Sequence, residues 1–317
     1  MNKKCVKILL INILAIFTAF FLFEAYFLYE TTKDFPERRK NPYVFNMRQF
    51  DESFRIFEKD WMRKPSGTEY NKKALVIFGG SFGYGSALSK SKTVSYKLSE
   101  YLKKPVYNRA YPGGCPSQML FQLQMPDFFE KVPKADYVLY IYTEDEMPRL
   151  YRHMAIMPSN DLFPRYKLKN GKVEKVNTSS FLDKFWYLYS VRQIHEKVVE
   201  PFLIKNQKKT FDLFSAILIE SKAIIDKYWN NPKFIILKYP IYRTDRDNKP
   251  DCSESYTYYE GWDKLKEAGF EVVDMQSLVG NAVCSPDYIV SVVDDYHPNE
   301  KAWDKIIPIL VEKENIK

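Results

Sequence analysis

Four short stretches hold residue types that nucleophilic catalysis could use. FGGSFGYG, Phe78 to Gly85, sets one serine among glycines at the end of an aliphatic run. YNRAYPGGC, Tyr107 to Cys115, ends a second run in two glycines, Gly113 and Gly114. Thr143, Glu144 and Asp145 close a third run, and VVDDYHPNE, Val292 to Glu300, places His297 three residues after Asp294. A serine directly after a buried strand can present its hydroxyl at the sheet edge. The helix start that follows leaves backbone N–H groups for an anion. Gly113 lets a backbone N–H approach a ligand with no side chain in the way. Asp294 can accept from one ring nitrogen of His297 and fix its tautomer, leaving the other nitrogen to act as a base on the serine. Asp295 is the alternative orienter. The plainer readings are a turn serine and a helix-cap histidine, and the strand-end positions weigh against both.

The glycines around Ser81 do not form a phosphate cradle. No Gly-Lys-Ser/Thr ending follows them, and Gly83-Tyr84-Gly85-Ser86-Ala87-Leu88 lacks the third small residue of a dinucleotide fingerprint. No CxxC pair or His/Cys cluster is present, so no metal site is expected, and the serine chemistry calls for no cofactor.

The elements that must position these residues are read from apolar runs. Ala74–Gly80, Pro105–Ala110, Asp136–Tyr142, Lys233–Pro240 and Phe270–Met275 read as five strands, the longer of them apolar enough to be buried on both faces. Helical spacing separates them. Thr93–Lys104 puts Val94, Leu98 and Leu102 on one face, and Gln118–Phe129, Thr210–Trp229 and Tyr256–Ala268 follow. The last helix starts after Pro298 and runs towards Glu312. Strand and helix in alternation predict an α/β fold with a five-stranded parallel sheet in three layers. Ligands in such sheets bind at the carboxyl ends of the strands, where the four stretches fall. Residues 146–205 break the rhythm and read as an insertion, a possible lid, with an Asn170-Gly171 turn and the aromatic run FWYLYS. The His195 beside that run reads as packing.

In this order the motifs resemble those of the SGNH (GDSL-type) hydrolases, over about residues 72–315. Gly79-Gly80-Ser81-Phe82-Gly83-Tyr84-Gly85 is similar to the family's first block, with Gly80 where aspartate is commonest. YNRAYPGGCPSQM is similar to the second, and Asp294-Asp295-Tyr296-His297-Pro298-Asn299 to the last. The resemblance implies a flavodoxin-like α/β/α fold and ester hydrolysis, with a Ser81–His297–Asp294 triad and an oxyanion hole from the Ser81 and Gly113 N–H groups. The third block departs: Glu144 stands where the oxyanion-hole asparagine is expected. A carboxylate there repels an oxyanion unless it turns away or is protonated. Thr143 is one substitute donor in view, and Arg149, Arg152 or His153 from the insertion are the others; Glu144, Arg149 and Arg152 are the substrate-side candidates. A silent module of the same fold, binding glycan or a protein partner, and an O-acyltransferase are the alternatives.

The chain has 317 residues, four cysteines and a formal net charge of +8. The lysines are spread along it without a basic block, so the charge reads as a solvated surface and not as a nucleic-acid footprint. Ile8 to Tyr29 is almost wholly apolar, with Glu24 its one acid. That length can span a bilayer, and Lys3, Lys4 and Lys7 before it favour a cytoplasmic start. The expected organisation is an uncleaved signal-anchor over 1–30, a juxtamembrane stalk over 31–72 and an extracytoplasmic domain over 73–317. The substrate expected is an acylated small molecule or envelope polysaccharide. Cys252 and Cys284 flank one late strand region and are the pair guessed for a disulfide.

Overall fold

The computed structural model describes residues 12, 14–15, 17–26, 74–86, 88–150, 165–176, 207–241, 243–244, 250–251, 259–280, 285–290 and 297–317. The elements from Ala74 onward lie in one compact unit, and the N-terminal helical residues in another. Five parallel strands form the main sheet: β1 (Ala74–Gly79), β2 (Val106–Asn108), β3 (Ala135–Tyr142), β6 (Lys233–Lys238) and β9 (Phe270–Asp274). Their spatial order is β2-β1-β3-β6-β9, so the chain winds outward in both directions from β1 and β3. This is the flavodoxin-like order, and its switch point lies between those two strands.

The alternation of side chains along each strand divides the core in two. Val76 and Phe78 of β1, Tyr140 and Tyr142 of β3, and Phe234 and Ile236 of β6 face one layer of helices. Leu75 and Ile77, Leu139 and Ile141, and Ile235 and Leu237 face the other. Each of these side chains is buried, at about 1.5–3 kcal/mol of transfer free energy apiece. The first layer holds α3 (Pro116–Leu123), α4 (Phe128–Lys131), α6 (Gln207–Trp229) and α7 (Tyr259–Glu267). The second holds α1 (Ser81–Tyr84), α2 (Val94–Leu102), α8 (Met275–Val279) and α9 (Glu300–Lys313). A short helix α5 (Glu146–Arg149) follows β3. An antiparallel hairpin, β4 (Arg165–Lys169) and β5 (Lys172–Val176), turns at Asn170-Gly171 with both residues at positive φ, and a small ladder joins β7 (Arg243–Thr244) to β8 (Pro250–Asp251).

All five expected strands form. The expected helix over Gln118–Phe129 is instead two, α3 and α4. The chain turns between them at Pro126, whose nitrogen cannot donate to a continuing helix. The hairpin lies inside the expected insertion. Residues 12, 14–15 and 17–26 are helical, and Leu14, Phe17, Phe21, Leu22 and Phe23 are exposed. Among the described residues no helix is long and apolar enough to cross a membrane, and the rest of the expected span lies outside them. The stalk over 31–72 and the guessed Cys252–Cys284 pair also lie outside the described residues.

Candidate active site

The backbone at the carboxyl end of β1 is shaped by its glycines. Gly79 has φ 133°, and a Cβ there would lie 2.3 Å from the Ile141 carbonyl oxygen. The strand therefore ends closer to β3 than any side chain permits. Gly80 is extended and caps α1, so Ser81 is the first helical residue, half-buried at the sheet edge. Gly85 closes that single turn in the left-handed region, its N–H donating to the Ser81 carbonyl at 2.9 Å.

The loop after β2 folds onto this turn. The Arg109 and Tyr111 N–H groups donate to the Ile77 and Gly79 carbonyls at 2.7 and 3.0 Å, extending the β1–β2 pairing. Gly113 follows with φ 73°, and the Gly114 N–H returns to the Tyr111 carbonyl at 2.7 Å. A Cβ on Gly114 would meet the Gly79 carbonyl oxygen at 2.8 Å. Asn108 braces the arrangement from beneath. Its amide donates to the Gly83 carbonyl at 2.9 Å, and its oxygen accepts from the Ala110 N–H at 3.1 Å. The Ser81 turn and the Gly113 loop are thus brought together by backbone contact.

His297 is 6 % exposed, at the end of the chain segment leading into α9. Its carbonyl accepts from the Val290 N–H at 2.8 Å, and its ring packs on Phe82 with centroids 5.0 Å apart. Tyr239, directly after β6, also packs against Phe82, edge to face, at 5.3 Å. His297 is therefore placed beside the residue that follows Ser81. Among the described residues no hydrogen bond joins Ser81 to the buried His297 Nε2, and such bonds often tighten only once substrate is bound. Asp294, Asp295, Arg152, His153 and His195 lie outside the described residues.

After β3, Thr143 and Glu144 are both buried, and their carbonyls accept from the Glu146 and Met147 N–H groups at 3.0 and 3.1 Å as α5 begins. Arg149 turns inward. Its guanidinium donates to the Gly114 carbonyl at 3.3 Å and lies 3.8 Å from the Asp145 carboxylate.

Glu146 is a residue that the sequence motifs do not mark. It is fully buried and accepts from the Gly80 N–H at 3.1 Å, with the Tyr140 hydroxyl donating to its other oxygen. Burial pushes its carboxyl up to about 8, against the opposing pull of the Tyr140 hydrogen bond and the Arg149 charge. Its one trace in the sequence is the absent acid at Gly80. Cys115 caps α3, its N–H donating to Gln118 Oε1 at 3.1 Å, and burial raises its thiol to about 11.

The parallel sheet, its strand order and a serine opening a helix at the first strand's carboxyl end define a doubly wound α/β protein with a candidate nucleophile at the switch point. No protein-family model matches the sequence, and no curated protein matches it. Solved structures do resemble it in outline. A putative GDSL-like lipase from Parabacteroides merdae aligns at 12% identity and TM-score 0.44, over 80% of this chain and 100% of that one. A putative lipolytic protein of the G-D-S-L family from Desulfitobacterium hafniense aligns at 11% and 0.42, over 76% and 99%. A carbohydrate esterase family 2 enzyme plus carbohydrate binding domain from Corynascus thermopiles (Myceliophthora fergusii) aligns at 12% and 0.43, over 78% of this chain and 66% of that one. Likeness at this level assigns no family to the chain.

Proposed function

We propose that the protein is a serine ester hydrolase of the SGNH type. The observation that carries the reading is the convergence at one sheet edge of Ser81, the Gly113 loop laid against Gly79, and the His297 ring on Phe82. The Ser81 hydroxyl attacks the acyl carbonyl while His297, oriented by Asp294, takes its proton. The Ser81 and Gly113 N–H groups hold the oxyanion, with Thr143 as the third donor. The intermediate collapses to an acyl-serine as His297 passes the proton to the leaving alcohol. Water, deprotonated by His297, then attacks the acyl-serine and releases the acid. Transfer to a second alcohol in place of water is the acyltransferase form of the same chemistry. An acyl, chiefly acetyl, ester on a small molecule or an envelope polysaccharide is the substrate class. The polysaccharide reading depends on the apolar N-terminal segment anchoring the domain outside the cell.

One observation favours a second reading. Glu144 is buried where an oxyanion-hole amide is expected, and loss of one such donor costs about 10²–10³ in rate. A catalytically silent module that binds glycan or protein is the alternative. Labelling of the folded protein with a fluorophosphonate probe, read by intact mass beside Ser81→Ala and His297→Ala, separates the two. Labelling of the parent alone supports the hydrolase, and an unlabelled folded parent supports the silent module.

A further inference from the structure

We propose that Glu146 and Arg149 are positioning residues, one turn of helix that locks the Ser81 turn and the Gly113 loop into a single oxyanion-binding geometry. The inference rests on the hydrolase reading above. Glu146 holds the Gly80 N–H, one residue before Ser81. Arg149 holds the Gly114 carbonyl, one residue after Gly113. The two side chains stand at i and i+3 on α5, so they share a face of the helix. They grip the two segments that supply the proposed oxyanion donors, each at the neighbouring residue.

Gly80 shows how completely the pair fills the space. A Cβ on Gly80 would lie 3.2 Å from each of Arg149 Nη1, Glu146 Oε1 and the Gly114 carbonyl oxygen. A side chain at position 80 would have to push these groups outward by a few tenths of an ångström. The acid that the first motif lacks at position 80 is in effect supplied from α5, with a hydrogen bond to backbone in place of a covalent tether.

The pair also sets the charge beside the reacting centre. The titratable and charged groups near Glu146 include Tyr140 on β3, Cys115 at the cap of α3, and Arg149 on α5 with its partner Asp145, and the buried Glu144 lies two residues away. Burial raises the Tyr140 hydroxyl well above its ordinary range and the Cys115 thiol to about 11. With the Glu146 carboxyl pushed up to about 8, it is the group of this cluster that changes charge in mildly alkaline solution. Its ionisation places a negative charge 3.1 Å from the Gly80 nitrogen, where it opposes the oxyanion.

The test is the pH dependence of Ser81 labelling by a fluorophosphonate, measured on the full chain for the parent, Glu146→Gln, Arg149→Met and Arg149→Lys. The parent rate is expected to fall several-fold between pH 7 and pH 9. Glu146→Gln is expected to lose that fall. Arg149→Met is expected to label roughly tenfold more slowly without weaker probe saturation, because it lets the Gly114 carbonyl go, and Arg149→Lys to recover part of the rate. Variants that label at the parent's rate with the parent's pH profile overturn the inference while leaving the hydrolase reading intact. A folded parent that does not label at any pH removes the hydrolase reading, and the positioning role with it. If Glu146→Gln does not fold, the two Arg149 variants carry the test, since that side chain is 16% exposed and sits at the edge of the cluster.

Discussion

The imidazole of His297 rests on the phenyl ring of Phe82, with ring centroids 5.0 Å apart. The residue that follows the candidate nucleophile is thus also the platform for the candidate base. Phe82 is buried and also packs against Tyr239. Phe82→Leu keeps an apolar filler but removes the flat face. It is expected to cost about 1–2 kcal/mol of stability and to slow Ser81 labelling about tenfold under conditions where both proteins are fully folded. Urea melts beside labelling rates check this, and an unchanged rate would show that the ring does not orient the histidine.

The two glycines before Ser81 are expected to differ sharply. At Gly79 a methyl group would sit 2.3 Å from backbone oxygen, on a residue with φ 133°. Gly79→Ala forces β1 and β3 apart and is expected to cost about 3 kcal/mol or more. At Gly80 the contacts are 3.2 Å, and two of the three are side-chain ends that can shift. Gly80→Ala is expected to fold at a cost of about 1 kcal/mol and to slow labelling by pushing Glu146 and Arg149 outward. Denaturation midpoints that rank the two the other way would contradict the close approach of Gly79 to Ile141.

The contrast between those glycines shows what the sequence can convey. The β1, β3 and β6 strands are legible because each is an apolar run buried on both faces, and the Ser81 position follows from where the first run stops. The hairpin turn is legible because Asn170-Gly171 is a residue pair that accepts positive φ. The break between α3 and α4 is marked only by Pro126, set inside an otherwise helical pattern. Glu146 is legible only as an acid missing at Gly80, which does not say where its replacement stands. Its role depends on β3 lying beside β1, which brings a residue 66 positions away onto the Gly80 N–H. No spacing rule within one segment reports a contact made by strand order. Asn108 is half legible, since it lies within the second motif while its partners Gly83 and Ser95 lie in the preceding helices.

Asn108→Ala is expected to loosen the site from below. It removes the donor to Gly83 and the acceptor for the Ala110 N–H, all buried. Leaving those backbone groups unpaired is expected to cost about 2–4 kcal/mol. Because Gly83 belongs to α1, labelling is expected to fall together with stability. Amide hydrogen exchange resolves the effect: faster exchange confined to α1 and the 109–114 loop supports the brace, and uniform acceleration argues against it.

Tyr239 predicts a change in the opposite direction. Its hydroxyl is buried and has no hydrogen-bond partner among the described residues, and burial raises it above its ordinary range. Tyr239→Phe keeps the ring against Phe82 and Trp303 while removing a desolvated polar atom. It is expected to leave stability unchanged or to raise it by about 1 kcal/mol. A loss of more than that in a thermal melt would reveal a partner for the hydroxyl.

Glu146 gives the protein a stability profile of unusual sign. In the unfolded chain its carboxyl has an ordinary value near 4.5, and in the folded protein burial lifts it to about 8. Below the unfolded value both states are protonated, and the contribution of this residue is fully present. Between the two values the unfolded chain ionises while the folded protein keeps its proton. The folded state then binds more protons, and stability falls as pH rises. The loss is expected to amount to a few kcal/mol by pH 8 and to level off above it, since each unit of separation is worth about 1.4 kcal/mol. Asp274 acts in another window. Burial would raise it, but hydrogen bonds from the Ser277 N–H and Lys238 outweigh that and hold it below its ordinary value. Its contribution is present above the ordinary aspartate range and lost only as pH falls below it. Urea midpoints at pH 5.5, 7 and 8.5 for the parent and Glu146→Gln isolate the glutamate. The parent is expected to weaken steadily across the series, and Glu146→Gln to weaken less. Parallel profiles would mean that Glu146 ionises in the folded protein as readily as in the unfolded chain, with Arg149 and the Gly80 N–H sufficient to hold the charge.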